Sequence, residues 1–317
     1  MNDTLAIGQV SAERRQKVHG WLPVAGTSLQ LPITLVNGAE AGPTLLVTGG
    51  IHGGEYPGIQ AAINLACTLD PGVLHGRVII VHIASPSAFQ ARMQYRVPED
   101  GLNLNRQFPG SATGTVSQRL AACIMADLVS CADAWVDLHG GDIHEELEPF
   151  TIYSAGAKPA VRERAARLAQ VYGIRYLLES DSVRGATYGA AAAAGIPCIL
   201  TEAGGVGQLD QEGLEIHTRG LWNVLNDLGI LPGTTIAPGP FTLLRENHWM
   251  TSEHTGCWYP AVRAGDQVVK GQQVGKLCDY FGAQLASVVA PADGVVLFRV
   301  TSLAVDAGDP LLAIGAA

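Results

Sequence analysis

Four short segments, each following or ending an apolar run, carry the side chains of this sequence with the most chemistry in them. In TGGIHGGEYPG, His52 and Glu55 lie three residues apart in a turn whose glycines let an imidazole and a carboxylate bend toward one ion. Pro57 then suits the first turn of a helix. In VDLHGGD, His139 closes an apolar run with Asp137 two residues earlier, on the same side if the run is a strand. Two histidines and one glutamate form a three-ligand zinc set with the fourth position open, as catalytic zinc requires. Such an ion would polarise a carbonyl and bring the pKa of water down to about 7. A base must then move the proton. Glu202, in PCILTEAGG, is the candidate, because a buried apolar run seldom ends by accident in a carboxylate beside two glycines. In the fourth segment, RVPEDGLNLNRQFPG, Arg106 can clamp a carboxylate with two parallel hydrogen bonds, Asn105 adds a directional amide, and Arg96 can stabilise a developing oxyanion.

Each of these residues also has a plainer reading. His-x-x-Glu alone is common on solvated turns, and it is the conjunction with His139, Asn105-Arg106 and Glu202 that points to a metal site. Asp137 either caps the turn after it or orients His139. For Arg96 the plain reading is a surface ion pair. The acidic stretch Asp142, His144, Glu145, Glu146 and Glu148 reads as a solvated face near the rim. His82 and His217 read as structural histidines with hydrogen-bond partners.

The elements that must position these groups follow from hydrophobic periodicity. Apolar runs of strand length at 44–48, 77–84, 134–138, 150–154, 175–178 and 197–201 alternate with helical patterns at 57–68, 117–131, 159–172 and 211–228. This is the alternation of an α/β sheet with largely parallel strands, and such sheets hold ligands beyond the carboxyl ends of their strands. In the third helix Val161, Ala165, Leu168, Ala169 and Tyr172 form a packing stripe. Past Ile230 the string LPGTTIAPGP breaks the pattern and divides a catalytic domain, 1–235, from a small β domain, 236–317. The second contains VRAGDQVVKGQQVGKLCDY and VVAPADGVVLF, which resemble a biotinyl/lipoyl-type β sandwich. Residues 281–288 between them hold no lysine for a prosthetic group, which argues for a structural or substrate-covering part.

His52-x-x-Glu55, the distant His139, Asn105-Arg106 and the strand-end Glu202, in that order over roughly residues 40 to 210, resemble the succinylglutamate desuccinylase/aspartoacylase group, which is similar to the zinc carboxypeptidases. The resemblance implies a mixed, largely parallel sheet flanked by helices and a zinc amidohydrolase with one Zn2+ per chain. It also implies His52, Glu55 and His139 as ligands, Glu202 as base, Asn105 and Arg106 as substrate-binding groups, and Arg96 as oxyanion support. The appended β domain suits that group too. Two departures accompany it: Asn103 stands where the aspartoacylase-like pattern usually carries Asp, and the stretch from Arg96 to Asn105 is longer than in aspartoacylase itself.

Composition narrows the partners. With 20 Lys+Arg against 29 Asp+Glu, the net charge of -9 argues against nucleic acid. No apolar run is long enough for a membrane span or a signal peptide, so a cytoplasmic protein is expected. The six cysteines form no C-x-x-C pair and read as reduced, mainly buried thiols. The expected partner is a small N-acyl substrate, cleaved at a non-peptide amide bond; the oligomeric state stays open, a homo-oligomer included. The rival is a metallocarboxypeptidase acting on short peptides, which shares the chemistry. A non-catalytic metal-binding or carrier protein is the reading from another class, and Glu202 speaks against it, since storage needs no base.

Overall fold

The computed structural model describes residues 4–233 and 237–317, so the expected boundary between 235 and 236 lies outside the described residues. Among these, the largest sheet has nine strands, and its middle is the parallel run Cys198–Glu202, Ala134–His139, Glu40–Gly49 and His75–Val81. Gln30–Asn37 and Gln16–Pro23 extend one side antiparallel. On the other side Phe150–Tyr153 runs antiparallel to Cys198–Glu202, followed by Tyr176–Glu179 and Thr242–Leu244 in parallel. The sheet is therefore mixed and largely parallel, as expected.

Both faces of its central strands are buried, which is why those strands read as continuous apolar runs. In Glu40–Gly49, Leu46 joins one core with Ile79 and Trp135, while Leu45 and Val47 join the other with Val78, Ile80 and Val136. Each such side chain contributes roughly 1.5–3 kcal/mol on burial. The helix Tyr56–Thr68 packs its Ile59, Ala62, Leu65 and Ala66 stripe inward, and Gln211–Asp227 begins where the Asp210 carboxylate accepts from Gly213 N at 2.7 Å. Pro159–Tyr172 matches its sequence pattern. The expected helix 117–131 is instead Val116–Cys123 continued by a π turn, Ile124–Leu128, and a 3-10 turn, Val129–Cys131.

Two smaller sheets follow. One joins Glu246–Thr251, Pro310–Ala316, Gly294–Val300 and Gln267–Val268; the other joins Gln284–Val289, Gln273–Cys278, Gly256–Pro260 and Ala304–Val305. They enclose a core around Trp258, Leu277, Val296 and Leu312. The first also takes in Glu145–Leu147, whose Leu147 pairs with Phe298. Conversely, Thr242–Leu244 lies past residue 235 yet completes the large sheet. Among the cysteines, Cys123, Cys198 and Cys278 are buried, whereas Cys67 and Cys131 are exposed; all six are free. No helix among the described residues is long and apolar enough to cross a membrane.

Candidate active site

His139 and Glu202 end adjacent parallel strands and are direct register partners, so their side chains emerge side by side at the carboxyl edge of the sheet. Glu40–Gly49, on the far side of the His139 strand, leads into the turn that carries His52 and Glu55. The three sequence-chosen ligands meet there, with one donor atom from each lying within 4.8 Å of the others. Nδ1 of His52 stands 2.6 Å from Oε1 of Glu55, and Nδ1 of His139 stands 2.9 Å from Oε2.

The outer nitrogens show which way the lone pairs face. Nε2 of His139 is 3.0 Å from Oδ2 of Asp137, and Nε2 of His52 is 3.1 Å from Oδ1 of Asn103. A carboxylate can only accept. The Asn103 oxygen also takes a hydrogen bond from Asn105 N at 2.8 Å, so it too is an acceptor and both Nε2 atoms carry the proton. Neutral imidazoles in these tautomers turn bare Nδ1 lone pairs toward a carboxylate whose Oε2 is buried without a hydrogen-bond partner. Such an arrangement fits a metal ion among the three. Without one, a proton takes its place. Against the pull of burial, Glu55 and Asp137 raise His139 well above an ordinary histidine, and His52 and His139 hold Glu55 down at about 2.

Asp137 thus orients His139, and does not serve as a cap. Its Oδ1 accepts from the Thr48 hydroxyl, itself fixed by Trp135 Nε1 at 2.8 Å, and its Oδ2 accepts from the Thr187 hydroxyl at 2.6 Å. Thr187 N donates at 3.0 Å to Oδ1 of Asn105, so one threonine ties the histidine support to the Asn105-Arg106 segment. Behind the centre His217 is fully buried and hydrogen-bonded, as read from sequence. His82 bonds Thr34 through Nε2 at 2.8 Å but leaves Nδ1 buried without a partner.

A cavity of about 270 Å³ opens beside the cluster and is lined by His52, Glu55, Asn105, Arg106, Tyr188 and Glu202, among others. Glu202 Oε2 is buried with no hydrogen-bond partner, and burial raises its carboxyl well above the usual range. Tyr188 also aims an unpartnered hydroxyl here, and burial pushes it up to about 12. The structure does not bring Arg96 to this cavity. It is exposed, its guanidinium donating to Gly101 O at 2.9 Å within its own loop.

The acidic stretch departs most from its sequence reading. Asp142 is buried and Glu145 lines the cavity; Glu146, one residue on, turns outward to pair with Arg299. Glu145 O lies against Gly141 and Gly205, where a Cβ would stand 2.3 and 2.4 Å from it, and it accepts from Val206 N at 2.9 Å. The glycine pairs after His139 and Glu202 therefore make room for this loop. The cavity's remaining cover is the face of the small sheet that carries Leu147, Phe298 and Trp249, the two rings 4.5 Å apart. Sequence reading missed Tyr188 and these roof residues and took Glu145 for part of a solvated face; the Glu-Glu-Leu run has no alternation that would mark it as a strand.

The profile of the succinylglutamate desuccinylase/aspartoacylase catalytic domain matches residues 41–228. The chain belongs to the succinylglutamate desuccinylase/aspartoacylase family. The span matched by that family contains His52, Glu55, Asn105, Arg106, His139 and Glu202, while Trp249 and Phe298 of the roof lie beyond it. A curated relative, the N-alpha-acetyl-L-2,4-diaminobutyric acid deacetylase of Halomonas elongata, is 33% identical, over 93% of this chain and 90% of its own. The product-bound ectoine utilization protein EutE (DoeB) from Ruegeria pomeroyi superposes with a TM-score of 0.88 at 28% identity, covering 100% of both chains. The succinylglutamate desuccinylase/aspartoacylase structure from Rhodobacter sphaeroides gives 0.85 at 29% identity, over 99% of this chain and 98% of its own. The likeness to solved structures therefore extends through the C-terminal sheets.

Proposed function

We propose that this protein is a zinc-dependent hydrolase that removes a small acyl group from the nitrogen of an N-acyl amino acid. The observation that carries the reading is the convergence of two bare Nδ1 lone pairs and the Glu55 carboxylate, beside an unpartnered buried carboxyl, Glu202. Imidazole nitrogens with one carboxylate suit zinc, and His52, Glu55 and His139 would hold it. When bound, the ion supplies Lewis acidity toward a carbonyl and toward water. Glu202 takes the proton of the attacking water and returns it to the leaving nitrogen, a task suited to a carboxyl whose affinity for protons burial has raised. Arg106, with Asn105 fixed beside it, binds the α-carboxylate, and the Tyr188 hydroxyl is free to donate to the same substrate.

Size favours this over cleavage of peptides. A cavity of about 270 Å³ is at the small end for small-molecule sites, which run roughly 300–1,000 Å³. Metal analysis of purified protein followed by a screen of N-acetyl, N-succinyl and N-formyl amino acids, with short peptides beside them, tests the reading. N-α-acetyl-L-2,4-diaminobutyric acid, from the name of the Halomonas relative, is the first compound to try. About one zinc per chain and chelator-sensitive deacylation are expected. Full activity in metal-free protein, or a preference for peptides, would rule it out.

A further inference from the structure

We propose that Glu145 binds a cationic amino group on the substrate side chain, making the preferred class an N-acyl diamino acid, with Arg106 on the α-carboxylate and Glu145 on the ammonium. This rests on the deacylase reading above and adds the residue that sets its specificity.

The charges of the cavity carry the inference. Arg106 is the only Arg or Lys lining it among the described residues, against the carboxylates Glu55, Asp142, Glu145 and Glu202. Glu55 and Glu202 belong to the metal cluster and the proton path. Asp142 is occupied by the protein itself: Oδ1 accepts from Ile143 N at 2.7 Å and Oδ2 from Tyr95 N at 2.6 Å. Glu145 is different. Its one side-chain partner is Asp142 N, at 3.3 Å from Oε2, and among the described residues no Arg or Lys lies within ion-pair distance of it. A carboxylate drawn into a cavity with no ion-pair partner in reach is costly unless a ligand supplies one.

The position of Glu145 is also built. Its carbonyl is seated between Gly141 and Gly205, its amide donates to Asp142 O at 3.0 Å, and its strand pairs Glu145 with Val300. Alternation along that strand puts Glu145 on the same face as Leu147, which also lines the cavity. A solvated acidic loop needs none of this. With Arg106 given to the α-carboxylate of the substrate, no Arg or Lys lining the cavity among the described residues is left to pair with Glu145. A side-chain carboxylate would set a like charge beside Glu145, a neutral side chain would leave Glu145 unpaired, and an ammonium would pair with it.

The test compares N-acetyl-L-2,4-diaminobutyrate, its near-isostere N-acetyl-L-norvaline and N-acetyl-L-aspartate on the zinc-loaded wild type and on Glu145→Gln. The wild type should favour the diamino compound over the norvaline one by about 10- to 150-fold in kcat/KM, the range of a hydrogen bond to a charged group, with the aspartate compound slowest. Glu145→Gln should bring the first ratio close to one, mainly through KM. Should that variant fail to fold, product inhibition of the wild type decides: L-2,4-diaminobutyrate should inhibit at least about tenfold more tightly than L-norvaline. Equal wild-type rates on the diamino and norvaline compounds, equal inhibition by the two products, or an unchanged ratio in Glu145→Gln would overturn the assignment of Glu145 alone. Hydrolysis of none of the three compounds would overturn it together with the deacylase reading.

Discussion

His217 donates its Nε2 proton to the main-chain oxygen of His139 at 2.9 Å, while its Nδ1 lies 2.8 Å from the Tyr172 hydroxyl. A helix residue thereby holds the end of the strand on which a candidate metal ligand sits, and it does so as a neutral ring. Burial depresses His217 to about 4 from the ordinary 6.5.

The sign of the resulting pH dependence follows. Between about pH 6.5 and 4 the unfolded chain binds a proton at this position and the folded chain does not, so stability falls as pH falls through that window. The loss amounts to up to about 3 kcal/mol. Denaturant titrations from pH 7 to 4.5 should give a shallower decline for His217→Gln, which has no proton to take up. Parallel declines for the two proteins would show that His217 is not held neutral.

Replacing Glu202 by Gln should leave zinc content unchanged and lower kcat by about 10² to 10⁴, the usual contribution of a positioned acid and base. Because burial raises Glu202 above the ordinary carboxylate range, and the base form is the active one, kcat/KM of the wild type should drop as pH falls through that raised value. The residual activity of the variant should lack this acid limb. Near-normal turnover in metal-loaded variant would assign the base elsewhere.

Arg106→Ala removes a charge-assisted contact worth about 1.5–3 kcal/mol, or roughly 10- to 150-fold in kcat/KM on N-acyl amino acids. An analogue with its α-carboxylate converted to a neutral amide should lose much less. Equal losses on the matched pair would show that Arg106 does not bind the carboxylate.

Gly205→Ala places a methyl group 2.4 Å from Glu145 O, main chain that cannot swing aside, so the loop must shift. A stability loss of about 1–3 kcal/mol is expected, with a larger proportional fall in activity. Gly189→Ala, in a helix with nothing within 4 Å of its Cβ, is the control and should be neutral or stabilising by about 0.5–1 kcal/mol. Indistinguishable melting of the two variants would mean that the glycine pair serves another purpose.

The cluster of His52, Glu55 and His139 was legible because each follows or ends a strand that is apolar on both faces, and such a run marks its own carboxyl end. Glu202 stands at such a strand end as well, whereas Asn105 and Arg106 lie in a 3-10 turn and reach the same cavity from a loop. Glu145 was hidden, since its burial depends on pairing with residues more than 150 positions later, and a local run of charge carries no trace of that. Arg96 shows the reverse. Its residue type suited the chemistry, but Gly101 O in its own loop holds its guanidinium away from the cavity. The edge strand Gln16–Pro23 escaped notice because its exposed positions dilute the apolar signal, whereas Gln30–Asn37, inside it and largely buried, was passed over although its run is apolar.

The pairing of Glu145–Leu147 with Gly294–Val300 also bears on how such chains can diverge. The candidate metal ligands and the proposed base are encoded before residue 203, whereas the strand partners of Glu145 and the aromatic ceiling come from the last quarter of the chain. A recombinant joining the first part of one relative to the last part of another would inherit its bond-breaking chemistry from the first parent and much of its choice of substrate from the second.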